Sequence, residues 1–341
     1  MAVSVYKPVI KRKDMDAVLS TLVNESIGPG SEMRRFCLEM SKYIGIEKGT
    51  ALRERPRALS IALKGLELSK GDAVVISALS PAYYVDVLDS LGFLPVYADV
   101  DPDSGTITPN SVEAVMKYSP KAMIVHYPFG FIPEIDKLTE FELPVIEDIS
   151  QAVSARLEDR SVGSFGAFTL VDLEWNSLIT AGGGCMVFPA TKKYRREIKP
   201  VIDAIHDDYL LPDMNASLGQ IQLNLLDKYV ADRIEIEDVF RKSLMKSRHK
   251  TFLQRGEWKN VPFSFPVVVQ SSMNDVIQYT HKKGILAEPA FGHCALSQHP
   301  VEEYPCPSAQ RVMLRTVLFP LYPMLGKKNI GVISKILATL P

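Results

Sequence analysis

Short apolar runs alternate with amphipathic segments along the first half of the chain. Apolar residues dominate the runs at 73–76, 95–98 and 122–125, and the segments between them carry apolar residues at helical spacing. Strands that alternate with helices in this way are typical of a mainly parallel, doubly wound sheet. The pattern therefore predicts the α/β fold class.

The pattern changes after the apolar run at 185–188. A long helix is predicted over about 217–247, and a smaller α/β unit follows it. A chain of 341 residues is long enough for two domains. We therefore predict a large domain over 1–225 and a small C-terminal α/β domain over 226–341.

An amphipathic helix is predicted near the N-terminus, over 9–24. The residues that give it an apolar stripe at roughly helical spacing are Ile10, Met15, Val18, Leu19 and Leu22. Such a stripe ordinarily faces the protein core.

Composition narrows the possible partners. The chain has 39 Lys and Arg residues against 40 Asp and Glu, a net charge of −1, and no long basic block. Nucleic acid and anionic membranes are therefore not expected as partners. No run of about 18 apolar residues exists, so no membrane-spanning helix is expected. The four cysteines lack metal-ligand or CxxC spacing, which favours reduced thiols in the cytoplasm and no metal site.

Candidate chemistry concentrates between Val145 and Val187. The run 145–148 ends in two carboxylates, Glu147 and Asp148, and a glycine run follows at 182–184. An acid at the carboxyl end of a strand lies where open α/β sheets bind their ligands. The alternative is an ordinary buried strand pair with a glycine turn.

Several segments, in chain order, are similar to those of one known family. They lie at 27–30, 43–45, 58–64, 71–72, 95–101, 145–152, 218–223 and 319–323. Together they resemble the DegT/DnrJ/EryC1/StrS family of sugar aminotransferases, which have the pyridoxal-phosphate transferase fold. The resemblance implies an aminotransferase-like fold, a homodimer with the active site at the subunit interface, and nucleotide-linked sugars as substrates.

The resemblance also assigns roles to two residues. Asp148 matches the carboxylate that keeps the pyridine nitrogen of pyridoxal phosphate (PLP) protonated, and Gln151 follows at the family's spacing. We interpret both as inherited cofactor positions. The alternative for Asp148 is a strand-end acid that caps the next turn.

Other positions depart from the family's pattern. The position of the lysine that forms the Schiff base is Asn176, whose carboxamide is neither a nucleophile nor a base near neutral pH. The phosphate-binding positions fall on 54–56, which include Arg55, and the position for the partner subunit's asparagine is Asp208. The position of the stacking aromatic ring is Pro81, with Tyr83 and Tyr84 close by.

Two further candidates for a ligand-binding cleft remain open. Arg55 lies with Arg53 and Arg57 before a predicted helix and is suited to an anion such as a diphosphate, although we favour a solvated or salt-bridged turn next to Glu54. His126 ends a predicted strand, and its more common role is a structural hydrogen bond.

These departures favour a catalytically degenerate family member, with a binding, scaffold or regulatory role linked to nucleotide-sugar metabolism. In this hypothesis no cofactor binds, and the chain forms a homodimer or a heterodimer with an active paralogue. The alternative is a sugar aminotransferase or dehydratase-like enzyme that holds PLP or pyridoxamine phosphate (PMP) non-covalently. New chemistry in the same cleft, without such a cofactor, is a third hypothesis.

Overall fold

The computed structural model describes residues 2–25, 27–157, 159–300 and 303–341. Its strands are β1 (Val3–Ser4), β2 (Thr50–Leu52), β3 (Ala73–Ser77), β4 (Leu94–Ala98), β5 (Ala122–His126), β6 (Val145–Asp148), β7 (Arg156–Leu157), β8 (Arg160–Ser161), β9 (Phe168–Asp172), β10 (Cys185–Pro189), β11 (Phe265–Val268), β12 (Ile285–Leu286), β13 (Glu288–Pro289) and β14 (Thr316–Phe319).

The helices connect these strands and cover the sheets. They are α1 (Arg12–Val23), α2 (Ser31–Ile44), α3 (Arg55–Lys64), α4 (Tyr83–Leu91), α5 (Pro109–Glu113), α6 (Ile135–Thr139), α7 (Lys192–Asp203), α8 (Asp213–Leu244), α9 (Met273–Lys282), α10 (Ala295–Gln298), α11 (Pro307–Met313) and α12 (Lys327–Leu337). No helix in the described ranges is long and apolar enough to cross a membrane.

A seven-stranded sheet forms the centre of the large domain. Its strand order is β2-β10-β9-β6-β5-β3-β4. The strands from β9 to β4 run parallel to one another, whereas β10 and β2 add an antiparallel edge. Strands β3, β5, β6 and β9 are buried along their whole length, as expected of strands covered on both faces. The predicted mainly parallel, doubly wound sheet is confirmed.

A separate apolar cluster stabilises the C-terminal part of the chain. Strands β11, β14 and β13 form an antiparallel sheet, and α8, α9 and α12 supply half of the other buried residues of this cluster. Helix α8 runs without a break from the large domain into this unit. The predicted domain boundary near residue 225 falls inside α8 and stays a prediction.

Glu147 fixes the connection between β6 and β9. Its buried carboxylate accepts hydrogen bonds from the Tyr127 hydroxyl at 2.6 Å and from the backbone N–H groups of Gly163, Phe165 and Gly166 at 2.6–2.9 Å. Burial raises the pKa of this carboxyl, and the four hydrogen bonds act in the opposite direction. The turn that leads into β9 is thereby held against the end of β6.

The predicted N-terminal helix forms, but its apolar stripe faces outward. Ile10, Met15, Leu19 and Leu22 are exposed, whereas Asp14 and Thr21 are buried against α8. The physical reason is hydrogen bonding between polar side chains. The Asp14 carboxylate accepts hydrogen bonds from the Lys11 backbone N–H at 2.7 Å and from the Gln222 side-chain amide at 2.8 Å. The hydroxyl oxygens of Thr21 and Ser217 lie 2.6 Å apart.

This orientation predicts that two substitutions in α1 change the free energy of unfolding by different amounts. Leu19→Ala is expected to change the free energy of unfolding by less than about 0.5 kcal/mol, because the side chain is exposed. Asp14→Ala is expected to lower it by about 1–3 kcal/mol, because buried donors lose their acceptor. Urea denaturation of both variants measures the difference. A larger loss for Leu19→Ala would mean that another surface covers the stripe.

Candidate functional site

Polar side chains meet at the carboxyl ends of three adjacent parallel strands. His126 ends β5, Asp148 ends β6 and Asp172 ends β9, and His126 lies directly opposite Asp148 in the strand register. The N-terminal residues of α3 and α4 contribute further side chains. We call Arg55, Tyr83, Tyr84, His126, Asp148 and Asp172 the strand-end cluster. It lies at the sheet edge where ligands of open α/β proteins bind.

Asp148 is held by other side chains of the same chain. Only 4% of the residue is exposed. The Tyr84 hydroxyl donates to its Oδ2 at 2.5 Å, while the hydroxyl and backbone N–H of Ser150 donate to Oδ1. Burial, followed by the negative charge of Asp148, raises the pKa of Tyr84 well above its usual value. Tyr84 therefore stays protonated and acts as a donor to this carboxylate.

Gln151 serves the backbone in this structure. Its side-chain oxygen accepts a hydrogen bond from the Phe129 N–H at 2.5 Å. Phe129 has φ of 55°, a left-handed conformation that non-glycine residues adopt at a cost. Gln151 thus stabilises the turn that follows β5. A cofactor role for Gln151 stays a prediction.

Arg55 and Asp172 form an ion pair beside Tyr83. The Arg55 guanidinium lies 3.6 Å from the Asp172 carboxylate and 5.4 Å from the centre of the Tyr83 ring. The Arg55 side chain is 43% exposed, whereas that of Asp172 is 12% exposed. Of the two explanations that the sequence left open for Arg55, the salt bridge is present, although its partner is Asp172 and not the neighbouring Glu54.

Asp172 is a site residue that the sequence analysis missed. Burial raises its pKa from the ordinary 3.8 to about 7; Arg55 lowers that pKa, and the charges of Asp148 and Glu174 raise it further. A carboxyl group with such a pKa can take up or release a proton near neutral pH. The signal was available, because Asp172 ends an apolar run just as Asp148 does.

His126 has an unused hydrogen-bonding atom inside the cluster. Its Nδ1 is shielded from solvent and has no hydrogen-bond partner among the described residues. The ring meets the Tyr84 ring edge-on, with centroids 6.5 Å apart. Burial lowers the pKa of His126, although the charge of Asp148 opposes this shift. The imidazole is therefore neutral near pH 7.

Asn176 and Asp208 make their contacts outside the strand-end cluster. Asn176 follows β9 and lines a separate cavity of about 20 Å³ with Tyr6, Tyr229 and Arg233. The Asp208 side chain is 83% exposed and lies 3.0 Å from His206. The structure thus brings together Arg55, Tyr83, Tyr84, His126 and Asp148 of the predicted site residues, and it leaves these two apart.

The cluster does not fit a lysine-linked PLP. Such a cofactor needs a lysine for the covalent link, a free carboxylate oxygen for the ring nitrogen, and donors for the phosphate. Here Asn176 stands at the position of the lysine, and the Tyr84 hydroxyl already donates a hydrogen bond to Oδ2 of Asp148. At the phosphate-binding positions, the Arg55 charge is already paired with Asp172. We therefore derive no step through a bound cofactor.

The raised pKa of Asp172 predicts a pH-dependent stability. Between about pH 4 and pH 7 the folded protein holds a proton that the unfolded chain has released, so stability falls as pH rises through this window. Asp172→Asn removes this group. The variant is expected to gain stability relative to the wild type at pH 8, by on the order of 1 kcal/mol or more, and to differ little at pH 4.

Urea denaturation at both pH values measures this difference. Asp208→Asn is the matched control, since it removes an exposed acid, and it should keep the wild-type pH dependence. A stability difference for Asp172→Asn that is the same at pH 4 and pH 8 would contradict a raised pKa.

A family model and a named relative each match nearly the whole chain. The model of the DegT/DnrJ/EryC1/StrS aminotransferase family matches residues 8–337. The dTDP-4-dehydro-2,3,6-trideoxy-D-glucose 4-aminotransferase of Saccharopolyspora spinosa is 22% identical, over 97% of this chain and 95% of its own length.

Solved structures show the same fold. The aminotransferase TlmJ of Streptoalloteichus hindustanus has a TM-score of 0.92 at 18% identity and covers 99% of this chain and 98% of its own. Spr1654 of Streptococcus pneumoniae, in a PMP form, has a TM-score of 0.90 at 19% identity, with 99% and 97% covered. The predicted aminotransferase-like fold is confirmed, and the chain belongs to the DegT/DnrJ/EryC1/StrS aminotransferase family.

Proposed function

We propose that this chain serves nucleotide-sugar metabolism as a binding or regulatory member of its family, without transamination. The observation that carries the proposal is the hydrogen bond of 2.5 Å from Tyr84 to Asp148. Tyr84 takes one acceptor position of Oδ2, and Ser150 donates twice to Oδ1, so a single position of the carboxylate remains for the ring nitrogen of a cofactor. The absence of a lysine at position 176 supports the same conclusion.

Binding of a cofactor would require several of these contacts to break. The Tyr84 ring is fully buried, so its movement away from Asp148 would disturb packing as well as a hydrogen bond. A phosphate near Arg55 would also lie near the carboxylates of Asp172 and Asp148, which repel a dianion. Both costs oppose PLP or PMP at this site.

The cluster retains a group that suits a polar ligand. Arg55 is a half-exposed cation that can contact the diphosphate of a nucleotide sugar. Each phosphate of such a diester carries a single negative charge, so Asp148 and Asp172 repel it less than they repel the dianionic phosphate of PLP. Relatives of this chain include the dTDP-sugar aminotransferase of S. spinosa and the GDP-perosamine synthase of Vibrio cholerae. These names make nucleotide-linked sugars the ligand class that we propose.

A second candidate function is a sugar aminotransferase or dehydratase-like enzyme with a non-covalently held PLP or PMP. The comparisons favour this candidate over the first, because the named relatives are aminotransferases and one structural neighbour is a PMP form. They give no support to the expectation that no cofactor binds. Asp148 would hold the ring nitrogen in this case, once Tyr84 had moved away. A homodimer, a heterodimer with an active paralogue and a cytoplasmic location stay predictions.

Titration of the purified protein with PLP and with PMP tests the proposal. We expect no saturable binding by visible absorbance or by thermal shift, because Tyr84 and Ser150 occupy Asp148. In parallel, dTDP-glucose and GDP-mannose are expected to raise the melting temperature of the wild type and to do so less in Arg55→Gln.

The two candidate functions give different results with the variant Asp148→Asn, which keeps the side-chain shape. Micromolar binding of PLP or PMP that is lost in this variant would overturn the proposal in favour of the second candidate. If neither nucleotide sugar binds the folded wild-type protein at millimolar concentration, the proposed ligand class is wrong.

A further inference from the structure

A cavity of about 640 Å³ lies away from the strand-end cluster, where the two domains meet. The C-terminal end of α8, the segment 249–253 and the region around the end of α11 form most of it. Pro102 and Asp103 of the large domain close one side. None of its lining residues belongs to the strand-end cluster. Its volume lies within the range of sites for small molecules, roughly 300–1,000 Å³.

Unpaired cations surround this cavity. Lys250 comes from the segment 249–253, and Arg311 and Arg315 from the region around the end of α11; all three are exposed and form no ion pair within the described residues. Arg241 also lines the cavity, but Glu237 binds it at 2.7 Å. The one acid in the lining, Asp103, is already paired with Arg255 at 3.2 Å. Cations that line one cavity without pairing to a protein anion favour a negatively charged ligand there.

The backbone around the cavity is held in place. Lys250 and Val268 exchange backbone hydrogen bonds of 2.7 and 3.2 Å, and the Leu253 N–H donates to the Asp103 carbonyl at 2.8 Å. Lys250 therefore lies on a segment whose backbone is held by hydrogen bonds on both sides. Binding would lose little conformational entropy in the backbone.

Apolar side chains make up the rest of the wall. Leu244, Val268 and Val312 line the interior, and Met245 and Leu253 lie at the mouth, where they are 83% and 53% exposed. Exposed apolar side chains beside unpaired cations suit a ligand that carries both a ring and an anionic group. A bare inorganic anion would leave these side chains unused.

We infer that this cavity binds an organic phosphate with a ring, of the class of nucleoside diphosphates, at a site separate from the strand-end cluster. Lys250, Arg311 and Arg315 contact the phosphates. Met245 and Leu253 cover the ring. Because the lining comes from both domains, the bound ligand would hold the turn at 102–103 against α8 and α11.

Isothermal titration calorimetry of the full-length protein with ADP, UDP, GDP and dTDP tests this site. At least one of them is expected to bind, and the double variant Arg311→Glu/Arg315→Glu is expected to bind it about tenfold more weakly or worse. Arg248→Glu is the matched control, because Arg248 is an exposed arginine next to the cavity that does not line it. This control should leave the affinity unchanged.

Each other outcome overturns the inference. If none of the four nucleotides binds the wild type at 1 mM, or if the double variant binds as well as the wild type, the cavity is not the site. Loss of binding in Arg55→Gln would place the nucleotide at the strand-end cluster instead. Pyrophosphate that binds as tightly as the nucleotides would exclude a role for the ring. Circular dichroism and Lys250→Gln, a milder change, separate loss of binding from loss of fold.

Discussion

Two neighbouring carboxylates at the end of β6 are satisfied entirely inside the protein, and the rest of the sheet edge depends on this. A buried carboxylate costs several kcal/mol unless hydrogen bonds compensate it. Glu147 obtains its bonds from Tyr127 and the turn at 163–166, which positions β9. Asp148 obtains its bonds from Tyr84 and Ser150, which ties α4 to the sheet. The same contacts that stabilise the fold therefore engage Asp148, the carboxylate that the family resemblance assigns to the cofactor.

Family membership and local geometry lead to different expectations for this chain. The family model and the named relatives favour an enzyme of sugar amination. The strand-end cluster instead pairs Arg55 with Asp172 and Tyr84 with Asp148, and it has no lysine at position 176. Fold is a weak guide to function when the reactive residues have changed, so we give the site more weight.

The sequence predicted the sheet well because buried parallel strands are continuous apolar runs, and it predicted Asp148 because strand ends are recognisable. It could not predict that Tyr84 would bond to Asp148, since the two residues are 64 positions apart. The apolar stripe of α1 did not indicate which face of this helix is buried, for a different reason. Polar pairs with α8 determine which face of that helix is buried, and hydrophobic spacing does not report them.

We propose that the whole cofactor site has changed in this chain, and not the lysine alone. Asn176→Lys tests it most directly: the variant and the wild type are incubated with PLP, reduced with borohydride, and digested for mass spectrometry. We predict no modification at position 176 above that of surface lysines, because Tyr84 still occupies Asp148 and Arg55 remains paired. Stoichiometric modification at position 176 would contradict the account, since one lysine would then have restored a site that was otherwise intact.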